Sequence, residues 1–165
     1  MEKNISFGGG QGKLNFNMDN ILRLQSELKK KYVAKVGIIG SADHEARKIS
    51  KPRRETEITN ASIGALHEFG DPARNIPIRS WLRMPIYLHL EDKKDYLQLA
   101  MYKSFKDYDI KKFFVKIGIA GEAVVQEGFD TSGWGAWPPP KYRDGSPLID
   151  TGQLRKSVTS AVAMK

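Results

Sequence analysis

The sequence contains no cysteine among its 165 residues. That absence excludes disulfide frameworks, thiolate zinc sites and cysteine nucleophiles. No apolar run approaches the ~18 residues that a membrane-spanning helix needs, so we expect no contact with a membrane. Hydrophobic residues make up 40% of the chain and charged residues 28%, which are ordinary values for a globular protein. The length suits one domain that can bury a core of its own.

The motifs of common catalytic and cofactor sites are incomplete in this sequence. Gly12-Lys13 lacks the flanking glycine and hydroxyl residue that a phosphate-binding loop needs. His67-Glu68 begins like a zinc-protease helix, but Asp71 stands where the second histidine belongs. No Gly-x-Ser-x-Gly is present, so a nucleophile elbow is missing as well. We therefore expect no enzyme activity, no catalytic residue, no metal site and no cofactor.

The positive charge of the chain is concentrated in one segment. The 27 Lys and Arg residues outnumber the 19 Asp and Glu residues, which gives a net charge of +8. Residues 23–54 alone hold ten positive and three negative side chains, a net charge of +7. The rest of the chain is close to neutral. This distribution favours a local anionic partner over a generally cationic protein.

Two interpretations of the basic segment stay open from composition alone. Contacts to phosphates need only Lys and Arg, so a nucleic-acid-binding protein that uses residues 23–54 is one of them. The segment lacks the interleaved aromatic residues that stack on single strands, and no recognition-helix pattern accompanies it. The other interpretation is a solvated loop, or a loop that docks on an acidic protein surface.

The first part of the chain predicts an arm, a helix, a strand and a long loop. We expect residues 1–17 to form a flexible N-terminal arm or edge segment, since they include a glycine-rich stretch. Helical spacing predicts a helix over 18–31 with Asp19 as its N-cap, and Val and Ile residues predict a strand over 33–39. Residues 41–57 are almost devoid of apolar side chains, so we expect a mobile loop there. Its cations are Arg47, Lys48, Lys51, Arg53 and Arg54.

Capping residues predict two helices in the middle of the chain. Asn60 would cap a short helix that ends at Gly70. The residues of that helix expected to face inward are Ile63, Leu66 and Phe69. Ser80 would cap a second helix that begins at Trp81 and that Pro85 would kink.

The last part of the chain predicts two longer helices, a loop and a closing strand. One helical stripe consists of Leu97, Met101 and Phe105, and the other of Ile110, Phe113, Phe114, Ile117, Gly121 and Val124. Gly118 and Gly121 would let another backbone approach closely. Residues 132–150 predict an extended loop with aromatic anchors, and Val158, Ser160 and Val162 would share one face of the final strand. We therefore predict a single α+β domain over 18–165, in which helices pack on an antiparallel sheet.

Two stretches of the sequence carry more than composition. The first is Asn60-Ala-Ser-Ile-Gly-Ala-Leu-His-Glu-Phe-Gly70, followed by Arg79-Ser-Trp-Leu-Arg83 and Pro85. The second is Ser146-Pro-Leu-Ile-Asp-Thr-Gly-Gln-Leu154, followed by Ser157-Val158. Their order and spacing resemble the tailed-bacteriophage virion-morphogenesis family, over about residues 33–163. Ser80-Trp81 stands where Pro-Phe is common in that family, which keeps an aromatic anchor.

The resemblance implies a non-enzymatic structural protein of the phage neck or tail top. Such a protein completes the tail and joins it to the head connector as a ring of identical copies, usually six. The implied partners are other neck and tail proteins, and the implied location is the virion, with the host cytoplasm during assembly. The cations of loop 41–57 would face the DNA lumen or a neighbouring ring, with transient contact to DNA without sequence preference. Tail terminator, tail-completion protein, head-side connector and a phage-derived device stay open as roles.

The motif positions are expected to specify the fold or an interface. They are Glu68, Phe69, Gly70, Arg79, Trp81, Leu82, Arg83, Leu148, Ile149, Asp150, Thr151, Gly152 and Leu154. We expect Phe69, Trp81 and Leu82 to be buried, and Gly70 to end its helix in the left-handed conformation. Asp150 and Thr151 would form hydrogen bonds to the backbone of a turn in which Gly152 takes a positive φ. The apolar anchors of that turn would be Leu148, Ile149 and Leu154.

Overall fold

Six α-helices and two strands make up the part of the chain that the computed structural model describes, which is residues 17–39, 59–141, 144–149 and 152–165. The first elements are α1 (Met18–Lys29), β1 (Tyr32–Ile38), α2 (Asn60–Phe69) and α3 (Arg83–His89). They are followed by α4 (Lys94–Lys106), α5 (Ile110–Asp130), α6 (Gln153–Lys156) and β2 (Val158–Met164). Short 3-10 turns lie at Pro72–Arg74 and Glu91–Lys93. Nearly all of the predicted arm and the predicted loop 41–57, with its five cations, lie outside the described residues.

The two strands form an antiparallel sheet that packs on α5. Tyr32 lies opposite Met164 and Ile38 opposite Val158, so a strand early in the chain pairs with the last strand. Two glycines of α5 make room for the sheet. A Cβ at Gly121 would lie 2.8 Å from Cγ2 of Val36, and one at Gly118 would lie 2.8 Å from Oγ of Ser160. The predicted α+β class with helices on an antiparallel sheet is confirmed. The atoms that approach the two glycines are strand side chains and not the backbone that the sequence analysis expected.

The C-terminal half of α5 forms one side of the core. Its Phe129 is fully buried and packs edge-on against Trp137, with ring centroids 5.7 Å apart, and tilted against Trp81 at 5.9 Å. The buried members of this core are Trp81, Val125, Phe129, Trp137, Leu154 and Val158. Trp137 is therefore the aromatic anchor that the sequence predicts for the loop after α5, whereas Trp134 stays partly exposed and stacks on His89.

Two predicted N-caps are wrong by one or two residues. Asn17 rather than Asp19 caps α1, because its side-chain oxygen accepts a hydrogen bond from the backbone N–H of Asp19 at 3.0 Å. Thr59 rather than Asn60 caps α2 and accepts from the N–H of Ser62 at 3.1 Å. In both cases two polar residues that favour caps lie close together, and the earlier one takes the cap.

The helix predicted from Trp81 with a kink at Pro85 is also different in the structure. α3 begins two residues later, at Arg83, so Pro85 lies in its first turn. The N–H groups of a first turn have no partner within the helix, so proline is tolerated there without a kink. Ser80 nevertheless serves the helix start, since its hydroxyl accepts a hydrogen bond from the N–H of Met84 at 3.1 Å.

Candidate functional site

The two sequence stretches that carry the family resemblance contact each other in the core. Trp81 of the first and Leu154 of the second are 3% and 2% exposed and belong to the same buried cluster. Gly64 of α2 lies at the junction, where a Cβ would be 2.8 Å from the Trp81 ring and 3.4 Å from Cδ1 of Leu154. Leu148 and Ile149 pack against the cluster from the second stretch. We call this assembly of α2, residues 79–83, residues 148–149 and Leu154 the motif cluster.

Glu68 is a buried charged residue at the centre of the motif cluster. Its carboxylate accepts a hydrogen bond from the Ser80 hydroxyl at 2.5 Å. It also accepts from the backbone N–H groups of Leu82 at 3.0 Å and Arg83 at 3.3 Å. These N–H groups open α3, where unpaired donors and the helix dipole both favour a negative charge. Glu68 therefore caps α3 from another helix, and the charge itself strengthens the hydrogen bonds.

Arg79 is a second charged residue of the motif cluster that is buried. Its guanidinium donates to two backbone carbonyls, from Nε to Pro138 at 2.9 Å and from Nη2 to Pro139 at 3.1 Å. Its own backbone N–H donates to the carbonyl of His67 at 2.8 Å. Arg79 thus joins the proline-rich segment after α5 to the end of α2. His67 is half-buried on that helix.

Trp81 lies as the sequence predicts, Gly70 ends its helix as predicted but in a different conformation, and Phe69 lies elsewhere than predicted. The Trp81 indole N–H donates to the carbonyl of Gly64 at 2.8 Å, so its polar atom is paired inside the core. Gly70 ends α2 with a positive φ of +73°, but its ψ of 171° is not that of the left-handed helical conformation that the sequence predicts. The prediction that Phe69 is buried is wrong, since it is 63% exposed. Glu68 takes the inward position, and the next helical residue points about 100° away from it.

The surface of the motif cluster carries Phe69 and Arg83 together. The guanidinium carbon of Arg83 lies 5.7 Å from the centre of the Phe69 ring, a distance at which a cation is attracted to the ring face. Nε of Arg83 also lies 3.7 Å from the Glu68 carboxylate. Leu82 is partly buried against the core, as expected.

The second motif stretch forms the turn that leads into β2. Gly152 has a φ of +71°, as the sequence predicts, while Asp150 and Thr151 lie outside the described residues. Leu154 anchors the turn in the core. Arg155 then fastens it to α5 through an ion pair with Asp130 at 2.6 Å and a hydrogen bond to the Gln126 side chain at 2.7 Å.

Half of the cations of the basic segment lie in the described part of the chain. They are Arg23, Lys29, Lys30, Lys31 and Lys35. Arg23 and Lys30 line a cleft of about 420 Å³ between α1, the sheet and the start of α5. Glu27 and Asp109 line the same cleft, so its charge is mixed. The structure does not gather these cations into a purely positive pocket, and the loop cations Arg47, Lys48, Lys51, Arg53 and Arg54 lie outside the described residues.

Glu27 organises the charges in this cleft. It forms an ion pair with Lys30 and accepts a hydrogen bond from the Tyr32 hydroxyl at 2.8 Å. The hydrogen bond from Lys30, and after it that from Tyr32, lowers the pKa of Glu27 below its ordinary 4.5. The hydrogen bond to Glu27 raises the pKa of Lys30, and burial together with the same carboxylate raises the pKa of Tyr32.

Replacing Tyr32 with phenylalanine should raise the pKa of Glu27 towards 4.5, because one of its two donors is lost. The lowered pKa stabilises the folded chain fully above pH 4.5, and this contribution disappears as the pH falls through the folded-state pKa. A carbon NMR titration of the Glu27 carboxyl measures the shift. Tyr102→Phe, at an exposed tyrosine of α4, should leave the titration unchanged. An unmoved Glu27 pKa in Tyr32→Phe would contradict this assignment.

The hydrogen bonds of Glu68 and Arg79, which hold the motif cluster together, were not predicted from the sequence. Glu68 offered one signal, a carboxylate at the last inward position of a short helix that precedes a Ser-x-Leu segment. Arg79 offered none, because its partners are backbone carbonyls and these leave no side-chain pattern.

Neither a search for metal sites and membrane spans nor comparisons with known proteins assign a function to the chain. Within residues 17–39, 59–141, 144–149 and 152–165, no three His, Asp or Glu side chains are grouped so that they could hold a metal ion. No helix in the described part of the chain is long and apolar enough to cross a membrane. No protein-family model, curated protein or solved structure matches the chain.

Proposed function

We propose that this chain is a structural virion protein of the neck or tail top of a tailed phage or a phage-derived device. It completes the tail and joins it to the head connector as a ring of identical copies. The observation that carries the proposal is the junction of Trp81, Gly64 and Leu154. The two stretches resemble one family in their sequence order, and in the structure they form a single packed unit. This is expected if both stretches specify the same fold.

The hydrogen bonds of the motif cluster support a structural role over a chemical one. The Glu68 carboxylate is directed at the start of α3, and the Arg79 guanidinium at two proline carbonyls. Both groups are buried and serve to fix one element against another. A catalytic acid or base would instead need to reach a substrate.

A nucleic-acid-binding protein that uses residues 23–54 is the competing proposal. The cations of this segment that the structure describes lie on α1, β1 and the connection between them, and Lys30 is paired with Glu27. Binding that depends on the segment would weaken steeply with salt, because counterions are released from phosphates. In the proposed ring, contact with DNA is transient and lacks sequence preference.

Deleting the gene that encodes this chain from its genome tests the proposal. We expect filled heads and separate tails to accumulate, with the yield of joined particles reduced by roughly 100-fold or more, and the intact gene supplied in trans should restore joining. Normal particle yield without the chain would contradict a neck role. Salt-dependent DNA binding by the purified chain, together with normal particles, would favour the competing proposal.

A further inference from the structure

The apolar side of α1 faces away from the domain. Met18, Ile21, Leu22 and Leu28 follow one side of the helix and are 61%, 41%, 54% and 56% exposed. None of the residues in α1 is buried. The half-buried side is formed by Asn20, Leu24 and Glu27, and it adjoins the apolar residues along the Ile21 and Leu28 edge of the helix. We call the four exposed residues the apolar ridge.

The apolar ridge is large for a surface that stays in water. Its four side chains expose on the order of 400 Å², a size at which an apolar patch on a monomer marks an interaction site. An amphipathic helix ordinarily turns such a stripe towards the core. In α1 the contact side is instead the poorer one in apolar residues, so the ridge is available for a surface outside the domain.

A concave apolar surface lies elsewhere on the same chain. A groove of about 500 Å³ runs between α3, α4 and α5. Its apolar lining consists of Ile86, Tyr87, Leu90, Leu97, Met101 and Phe113. Tyr87 is 81% exposed and Met101 is 43% exposed. Leu97 and Met101 of the stripe that the sequence predicts for α4 therefore border a groove, while the buried residues of this helix are Ala100 and Ser104.

The ridge and the groove match in length and charge. The ridge from Met18 to Leu28 is about 15 Å long. The lining of the groove extends from Ile86 on α3 to Met101 on α4, which is long enough to take it. The ridge ends beside the cations Lys29, Lys30 and Lys31. The groove begins beside the exposed carboxylates Glu91, Asp92 and Asp95, which outnumber the neighbouring cations Lys93 and Lys94. A helix that lies in an apolar groove is a recurrent mode of recognition, and opposite charges at one end set its direction.

We propose that the apolar ridge of one copy docks in the α3–α4–α5 groove of the next copy. A second copy is the occupant because α1 is held with its ridge outwards by packing on α5 and by the hydrogen bond between Glu27 and Tyr32, so the ridge does not reach its own groove. Each copy then uses two different surfaces, which is a head-to-tail contact that closes into a ring when the rotation per copy allows it. The biological setting of this interface rests on the proposed neck function, whereas the association itself is a property of the purified chain.

Two single variants and their mixture test this interface by sedimentation of the full chain. Leu22→Glu puts a charge on the ridge, and Met101→Glu puts the same charge in the groove. Each alone should weaken self-association by roughly 30-fold or more, as expected when a central interface residue is lost. An equimolar mixture should form a dimer of one copy of each and nothing larger, because only one intact ridge and one intact groove can meet.

Controls separate this outcome from misfolding and from other occupants. Ala65→Glu on α2 and Tyr102→Glu on α4 add the same charge at exposed positions outside the two surfaces and should associate like the unmodified chain. Circular dichroism of all four variants should match the unmodified chain. A mixture that stays monomeric, or an unmodified chain that is monomeric at every concentration tested, would overturn the proposal. So would a Leu22→Glu chain that loses thermal stability without a change in association, because the ridge would then be covered by its own chain.

Failure of this interface and failure of the neck function are distinguishable. A chain that associates through the ridge and groove but is dispensable for joined particles would contradict only the neck function. A chain required for joined particles whose Leu22→Glu and Met101→Glu variants associate normally would contradict only the interface.

Discussion

Replacing Trp81 with alanine should lower the free energy of unfolding by about 3–5 kcal/mol, the cost of deleting a large buried side chain. Trp81 is 3% exposed and contacts Gly64, Phe129 and Leu154. The cavity would open between α2, α5 and α6, so little of it can collapse. Urea unfolding followed by circular dichroism measures the change.

A conservative variant separates the packing of Trp81 from its hydrogen bond. Trp81→Phe keeps most of the ring but removes the indole N–H that donates to the Gly64 carbonyl, so we expect a loss of about 1–2 kcal/mol. Trp134→Ala is the matched control at a tryptophan that is 37% exposed, and its effect should be less than half that of Trp81→Ala. Equal losses at the two tryptophans would contradict the assignment of Trp81 to the core.

Replacing Glu68 with alanine should cost about 3 kcal/mol, because a buried charged acceptor is removed and its donors are left unpaired. The Ser80 hydroxyl and the N–H groups of Leu82 and Arg83 all lose their acceptor. Glu68→Gln keeps one oxygen and should cost about half as much. The control is Glu91→Ala, at an exposed glutamate on the 3-10 turn before α4, with an expected change within about 0.5 kcal/mol.

Amide hydrogen exchange gives Glu68 a local readout as well. In Glu68→Ala the amides of Leu82 and Arg83 should exchange faster than in the unmodified chain. This holds even if the variant is stable enough that the amides of the core stay protected from exchange. Amides in the middle of α5 should lose only what the global change explains. Unchanged exchange at Leu82 and Arg83 would show that Glu68 is not the cap of α3.

The regular elements were predictable because their apolar spacing is local. The helix near 18–31, the strand near 33–39 and the closing strand all appear within one or two residues of their predicted places. The N-caps were less predictable, since neighbouring polar residues such as Thr59 and Asn60 compete for the same role and tertiary contacts decide between them. Asn60 is fully buried, which removes it from the solvent-facing position that a cap usually takes.

The inward direction of α2 was predicted wrongly at its end. Counting apolar residues placed Phe69 inside, yet Glu68 is buried because three donors from the next segment satisfy its carboxylate. That compensation comes from residues more than ten positions away and has no counterpart in the pattern of α2 itself. The helical spacing of α1 was equally recognisable, but spacing does not reveal whether the domain or another molecule covers the apolar side.

The motif cluster shows what sequence order can and cannot indicate about a site. The motifs predicted a helix end at Gly70, an aromatic anchor at Trp81 and a turn with positive φ at Gly152, and all three are confirmed. The contact between the two motif stretches at Gly64 could be recognised only in the structure, because packing between distant segments is a property of the folded chain.

Electron microscopy of particles assembled with a labelled chain tests the proposed neck role most directly. A compact label fused after Lys165, which is exposed, adds density wherever the chain lies in the particle. We expect one ring of added density at the junction between head and tail, with the same number of copies in every particle. Label distributed along the tail tube or over the capsid, or absent from purified particles, would contradict the neck assignment.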